Sequence, residues 1–256
     1  MPAHKRLTAA ISAANNQGRP ALIPFMTAGY PEPAEFINTL QAVAEVGDVV
    51  ELGIPFSDPM ADGMTIQRSS FVALQSGVSL RWIFDELEMA GDINAPLVMM
   101  SYLNPLLAFG YDTLAERARA TGVCAFIVPD LPFEECEELR VALEKQGLGL
   151  IQLVTPATPD ERLKKLCGAS AGFVYAVTIT GITGGNTGLP EGLADYLDKV
   201  SSLSDLPVCA GFGIRDAADV ESVGAHASGA IVGSALVEVL ENGGDPKAFL
   251  RTLRRR

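Results

Sequence analysis

Leu206-Pro207-Val208-Cys209-Ala210-Gly211-Phe212-Gly213-Ile214 and, further on, Gly229-Ala230-Ile231-Val232-Gly233-Ser234-Ala235 decide the fold. Each begins as a short apolar run and stops at glycine. Runs of this kind mark parallel strands buried on both faces. Working back from this pair, similar runs recur at 21–27, 48–54, 97–101, 124–128, 148–154 and 173–177, which makes 206–210 and 229–232 the seventh and eighth strands.

Helical patterns lie between the runs. Residues 33–46 carry Phe36, Ile37, Leu40, Val43 and Ala44 at helical spacing. Residues 133–146 open on Glu134 and Glu135 and close on Lys145 and Gly147, matching the helix dipole and a glycine stop. Thr158-Pro159-Asp160-Glu161 offers an N-cap, a proline at the first helical position and early acids. A helix at 5–16 precedes the first strand. Strands alternating with helices, with no linker or compositional break, predict an α/β fold: one (β/α)8 TIM barrel spanning residues 1–256, with an extra N-terminal helix and a short phosphate-binding helix after strand eight. A doubly wound open sheet is the alternative, but it usually has fewer strands, and no GxGxxG follows the first strand.

Composition narrows the function. The net charge of −12, from 19 basic and 31 acidic side chains, suits no nucleic-acid partner, whose phosphates need a basic footprint. The basic Arg254-Arg255-Arg256 reads as a solvated, frayed end. Cys124, Cys136, Cys167 and Cys209 form no CxxC and read as reduced, mostly buried thiols. No signal peptide and no membrane-spanning run is visible, so the expected location is the cytoplasm.

Active sites of such barrels lie at the C-terminal ends of the strands. The polar residues there are few: Thr27, Glu51, Ser57, Asp58, Asp62, Tyr102, Asn104, Asp130, Thr155, Tyr175, Thr178, Thr180, Thr183, Arg215 and Ser234. His4 and His226 fall elsewhere, which argues against a metal site. No lysine ends a strand, so a Schiff-base nucleophile has no candidate. Carboxylate chemistry remains. Glu51 sits in Val49-Val50-Glu51-Leu52-Gly53, where a charge is costly unless it faces a polar site. A rim residue facing solvent is the bland reading. An acid/base with raised proton affinity is the functional one. Asp62, in Ser57-Asp58-Pro59-Met60-Ala61-Asp62-Gly63, reads either as a turn residue or as a second carboxylate dividing the labour. Gly211-Phe212-Gly213 and Gly233-Ser234 read either as ordinary strand-end turns or, both being in the loops where barrels hold phosphate, as an anion cradle. The Thr- and Gly-rich loop 178–190 suits a lid or a merely flexible surface loop.

The run Glu51-Leu52-Gly53-Ile54-Pro55-Phe56-Ser57-Asp58-Pro59-Met60-Ala61-Asp62-Gly63 resembles the signature of tryptophan synthase α subunits. Pro24-Phe25-Met26-Thr27-Ala28-Gly29-Tyr30-Pro31, Tyr102-Leu103-Asn104-Pro105, Pro129-Asp130-Leu131-Pro132, Thr180-Gly181-Ile182-Thr183-Gly184, Gly211-Phe212-Gly213-Ile214 and Gly233-Ser234-Ala235 recur in that family's order, so the resemblance covers essentially the whole chain. It implies a lyase that splits indole-3-glycerol phosphate into indole and glyceraldehyde 3-phosphate without cofactor or metal. It implies Glu51 as acid/base and Asp62 as the carboxylate on the indole N–H. It implies Phe25, Met100, Tyr102, Ile127, Leu153 and Tyr175 around the indole, with Thr183 and Phe212 also on substrate, and phosphate on Gly184, Gly213, Gly233 and Ser234. It implies a pyridoxal phosphate-dependent tryptophan synthase β subunit as partner in an α2β2 assembly, met through loops 55–62, 104–110 and 130–135. Three departures stand out. Met64 replaces the family's usual proline, and the stretches before Glu51 and before Gly229 are each one residue shorter than usual. Another phosphosugar barrel, an activator of a β subunit and a free-standing indole-releasing lyase are the competing readings.

Overall fold

The computed structural model describes residues 1–178, 192–211 and 213–254. Its strands are β1 (Ala21–Thr27), β2 (Val50–Gly53), β3 (Leu97–Met100), β4 (Val123–Ile127), β5 (Gly149–Ile151), β6 (Leu153–Val154), β7 (Val174–Val177), β8 (Val208–Gly211) and β9 (Gly229–Val232). All pair in parallel, in the order β5-β4-β3-β2-β1-β9-β8-β7-β6. β5 and β6 end that order and are two halves of one run, so the sheet closes into the TIM barrel that the apolar runs predict. Every residue of β1 to β5 is buried, as strands covered on both faces must be.

The helices are α1 (Lys5–Asn16), α2 (Phe36–Ala44), α3 (Met64–Gln75), α4 (Leu80–Ala90), α5 (Leu103–Phe109), α6 (Tyr111–Ala120), α7 (Glu137–Lys145), α8 (Asp160–Ala169), α9 (Leu193–Leu203), α10 (Ala217–Gly224), α11 (Ser234–Glu241) and α12 (Pro246–Leu253). α1 lies across the N-terminal ends of the strands. Its Leu7, Ile11 and Ala14 are buried at helical spacing, and Thr8 and Asn15 bond to the carbonyls of Gly172 and Ser228, just before β7 and β9. With that end closed, the opposite end is left for the site. No described helix is long and apolar enough to cross a membrane.

The structure corrects several sequence-based boundaries. The fifth run breaks at Gln152 because its N–H donates to the Ser170 hydroxyl (2.9 Å) rather than to a strand neighbour. The helices expected at 33–46 and 133–146 each open with a three-residue turn, Pro33–Glu35 and Phe133–Glu135, before α2 and α7 begin. Thr158 does not cap α8. Its hydroxyl accepts the Thr155 N–H (3.0 Å), and Pro159, extended at ψ 150°, stands before the helix rather than within it. Strands two, three, four, six and seven shift or shorten by one or two residues at their ends.

The C-terminus is not simply a solvated end. Arg254 and Arg19 both pair with Asp48, Arg19 through two bonds of 2.7 and 2.8 Å and Arg254 at 2.9 Å. Asp48 also accepts the Leu22 N–H at 2.8 Å and donates its own N–H to the Leu22 carbonyl. This cluster fastens the start of β2 to β1 in the shortened stretch before Glu51. Arg255 and Arg256 lie outside the described residues. The four cysteines are buried and free.

Candidate active site

Register brings the site together. Phe25 of β1 stands opposite Glu51 of β2, Met100 of β3 opposite Ile127 of β4, and Leu153 of β6 opposite Tyr175 of β7, whose other neighbour is Cys209 of β8. All of these side chains are buried except Leu153, which is partly so. Two glycines make the packing possible. A Cβ on Gly53 would come within 2.4 Å of the Phe25 ring, and one on Gly211 within 2.3 Å of the Tyr175 hydroxyl. No side chain fits at either position without moving an aromatic.

Glu51 is 1% exposed. Its Oε2 is buried without a hydrogen-bond partner among the described residues. A solvent-facing rim residue is thereby ruled out. Burial pushes its carboxyl up to about 8, and the Asp62 charge adds to the rise. Asp62 comes from the loop between β2 and α3 and is buried too. Burial raises it to about 6, against a hydrogen bond from Tyr102 that favours the ionised form. Two carboxyls in one apolar pocket are therefore set apart: near neutral pH Glu51 keeps its proton while Asp62 tends to its charge. Tyr175 feels both, after burial, as the next causes of its raised phenol, and Cys209 feels Glu51.

The loop that carries Asp62 is held at several points. The Asp62 N–H donates to the Pro59 carbonyl (3.1 Å), and its own carbonyl accepts from Gln67 Nε2 (2.9 Å). The Tyr102 hydroxyl accepts the Ala61 N–H at 2.9 Å, and its ring stacks on Phe56, centroids 5.1 Å apart at 25°. Thr27, at the end of β1, shares a 2.7 Å hydroxyl bond with Ser69 and so ties β1 to α3. Met64 is the exposed first residue of α3, preceded by Gly63 in extended conformation.

After β8, on the other side of β1 from β2, Gly213 adopts φ +82°, a left-handed conformation that suits glycine. Gly233 flanks the start of α11, whose first residue is Ser234 and whose first turn carries no acid. Free N–H groups and the helix dipole make that start suited to an anion. A Cβ on Gly233 would lie only 3.7 Å from Phe25, so the helix start adjoins the same pocket. Thr183, Gly184 and Phe212, and nearly all of the loop 178–190, lie outside the described residues.

Some of these residues escape sequence reasoning. Gln67, Ser69, Phe56 and Cys209 carry no local signal of their role. Gly53 and Gly211 do stand in quoted motifs, but the reason for each is an aromatic ring on another strand.

The family described as "Tryptophan synthase alpha chain" matches residues 11–254. The chain belongs to the tryptophan synthase alpha chain family. It is 42% identical over 248 residues to the alpha chain of Nitratidesulfovibrio vulgaris strain DP4, covering 96% of each. It is 45% identical over 244 residues to that of Desulfovibrio desulfuricans, covering 94% of this chain and 96% of the relative. A Mycobacterium tuberculosis tryptophan synthase structure superposes with a TM-score of 0.88 at 36% identity, over 97% of this chain and 96% of that one. The chain is thus a lyase of tryptophan biosynthesis whose reaction is the cleavage of indole-3-glycerol phosphate.

Proposed function

We propose that Glu51 and Asp62 carry this cleavage between them, in a single barrel domain working in the cytoplasm. The observation that carries the reading is the burial of both carboxyls, Glu51 1% and Asp62 8% exposed, which pushes them up unequally, to about 8 and about 6. The substrate must gain a proton at indole C3 and lose one from the side-chain hydroxyl. Glu51, protonated at neutral pH, delivers the first proton, and as the resulting carboxylate it takes the second. Asp62, ionised, accepts the indole N–H and stabilises the positive charge that develops there. The carbon–carbon bond then breaks, its electrons return to the ring, and indole leaves with glyceraldehyde 3-phosphate. The indolenine tautomer is itself the electron sink.

Phe25, Met100, Tyr102, Ile127, Leu153 and Tyr175 wall the indole in this reading, with Thr183 and Phe212 beside the substrate. Backbone N–H groups of Gly184, Gly213, Gly233 and Ser234 hold the phosphate. A tryptophan synthase β subunit is the partner, in an α2β2 assembly, met through loops 55–62, 104–110 and 130–135. Exposed Met60 of the first loop and Leu107, 78% and 57% accessible, support that face as docking surface, although 104–109 is the body of α5 and not a loop.

The test is a spectroscopic assay of indole release from indole-3-glycerol phosphate, with and without a β subunit. Wild type turns over, and Glu51→Gln loses about 10²–10⁴-fold in kcat, the range for a positioned acid/base. A Glu51→Gln enzyme within a few-fold of wild type removes Glu51 from its role.

A further inference from the structure

Gln152 sits at the break between β5 and β6 with its backbone bonded and its side chain not. Its N–H donates to the Ser170 hydroxyl at 2.9 Å, and its carbonyl accepts the Tyr175 N–H at 3.0 Å. The residue is 8% exposed. Its carboxamide has no hydrogen-bond partner among the described residues. A buried amide left unmet is costly, and such groups call for an explanation.

The side chain has somewhere to point. Neighbouring side chains along an extended run face opposite ways. Leu153 stands opposite Tyr175, a barrel-interior residue, so Gln152 faces outward to α8. On that side a cavity of about 280 Å³ lies between the β5–β6 run, the loop 128–133 and the first turns of α8. Gln152 lines it together with Leu150, Leu131, Phe133 and Leu166, which supply an apolar body.

The other polar groups of the lining are already committed. Arg162 donates to both oxygens of Glu134, at 2.7 and 3.0 Å, and Asp130 accepts the Leu103 N–H at 2.9 Å. The Thr158 hydroxyl accepts the Thr155 N–H at 3.0 Å. The charges at the rim also balance in sign: Arg162 and Lys165 stand against Glu134 and Asp130, and Lys165 lies over the Phe133 ring, 4.7 Å from its centroid. A charged guest would have to break one of these pairs to be met. The carboxamide alone asks for a partner, and it offers a donor beside an acceptor.

We propose that this cavity is a second binding site, outside the barrel interior, for a small uncharged molecule with an apolar ring and one amide-like edge, which pairs with the Gln152 carboxamide through two hydrogen bonds. The volume lies just under the usual range of small-molecule pockets, roughly 300–1,000 Å³, and so suits a single ring rather than a larger ligand. The loop 128–133 that roofs the cavity runs into the docking loop proposed above, but the site itself does not depend on that reading.

Benzamide is the probe, with benzoate and toluene as its charged and apolar counterparts. Titrating the full chain, followed by calorimetry and by NMR of the glutamine side-chain amides, gives benzamide a dissociation constant in the low millimolar range and moves the Gln152 amide signals. Benzoate and toluene each bind about tenfold more weakly, since one loses the neutral donor and the other both hydrogen bonds. Gln152→Leu lowers benzamide affinity by about tenfold or more. This variant replaces an unmet polar group by an apolar one of similar size, so it unfolds at a urea concentration no lower than wild type, and lost binding is not lost folding. Contacts from the benzamide ring protons to Phe133 and Leu166, read in the wild type, test the place without any variant. Saturating indole, the reaction's product, leaves benzamide bound. Four results overturn the proposal: no benzamide binding, which leaves a carboxamide met by water; benzoate binding more tightly than benzamide; unchanged affinity in Gln152→Leu; or displacement by indole, which puts the probe in the catalytic pocket.

Discussion

Burying Glu51 with its proton ties the stability of the fold to pH. A carboxyl with its proton affinity raised from 4.5 to about 8 on folding opposes the folded state once the unfolded chain can ionise. Below pH 4.5 Glu51 is neutral in both states and its burial carries no charge penalty. Between 4.5 and about 8 the unfolded chain releases its proton while the native chain keeps it, so stability falls as pH rises. Above about 8 both states are ionised and the loss is complete. At ~1.4 kcal/mol per unit, the shift sets a ceiling of about 5 kcal/mol across the window, roughly 2 of it above pH 6.5. Water entering around the charge reduces this, as it does for buried ions generally.

Glu51→Gln cannot ionise, so the difference in unfolding free energy between variant and wild type isolates the effect. Groups that titrate in both proteins largely cancel. Urea unfolding at pH 6.5, 7.5 and 8.5 is the assay. The variant gains on wild type by roughly 1–2 kcal/mol between the first and last pH, while its indole release collapses. A difference that stays flat within ~0.5 kcal/mol refutes the reasoning, because it would mean the native carboxyl ionises in the ordinary range. Burial pushes Asp62 up to about 6, so starting at 6.5 keeps most of its transition out of the window.

Two further outcomes follow from packing and backbone. Gly53→Ala drives a methyl into the Phe25 ring, 2.4 Å from its nearest atom, and costs about 1–3 kcal/mol as overpacking does. Phe25→Leu in the same chain recovers at least ~1 kcal/mol of it in a double-mutant cycle, and strict additivity would show that the two do not touch. Met64→Pro raises unfolding free energy by about 0.4–1 kcal/mol in urea, since the first position of α3 needs no ladder N–H and Gly63, at φ −74° and ψ 164°, already has the conformation that a residue before proline prefers. A destabilised Met64→Pro enzyme would mean that the start of α3 uses that N–H.

The barrel was legible because its strands are short apolar runs closed by turns, and burial on both faces leaves little choice of residue there. β1, β9 and α1 came out with the bounds read from the sequence. Ends fared worse, and for a common reason: each is decided by one hydrogen bond to a residue remote in sequence. Ser170 takes the Gln152 N–H and splits the fifth strand, Leu22 takes the Asp48 N–H and delays the second, and Asp48 draws Arg254 out of solvent. Nothing local to Gln152, Asp48 or Arg254 announces its partner.

The site divides along the same line. Glu51 stood out as a carboxylate among Val and Leu, and that oddity is a one-residue signal any reader of the chain can see. What makes the oddity useful is pairwise. The rise of Glu51 depends on burial and then on Asp62; the smaller rise of Asp62 depends on burial and on the Tyr102 proton that opposes it. The Tyr102 hydroxyl is aimed by an amide of the Asp62 loop, and Phe56 of that loop holds its ring. The barrel supplies these meetings because parallel strands with their C-terminal ends together force neighbouring loops to share one mouth. A carboxylate that would be only a burden in a lone strand thus meets, in the loop after β2, a second buried carboxyl whose charge raises it further.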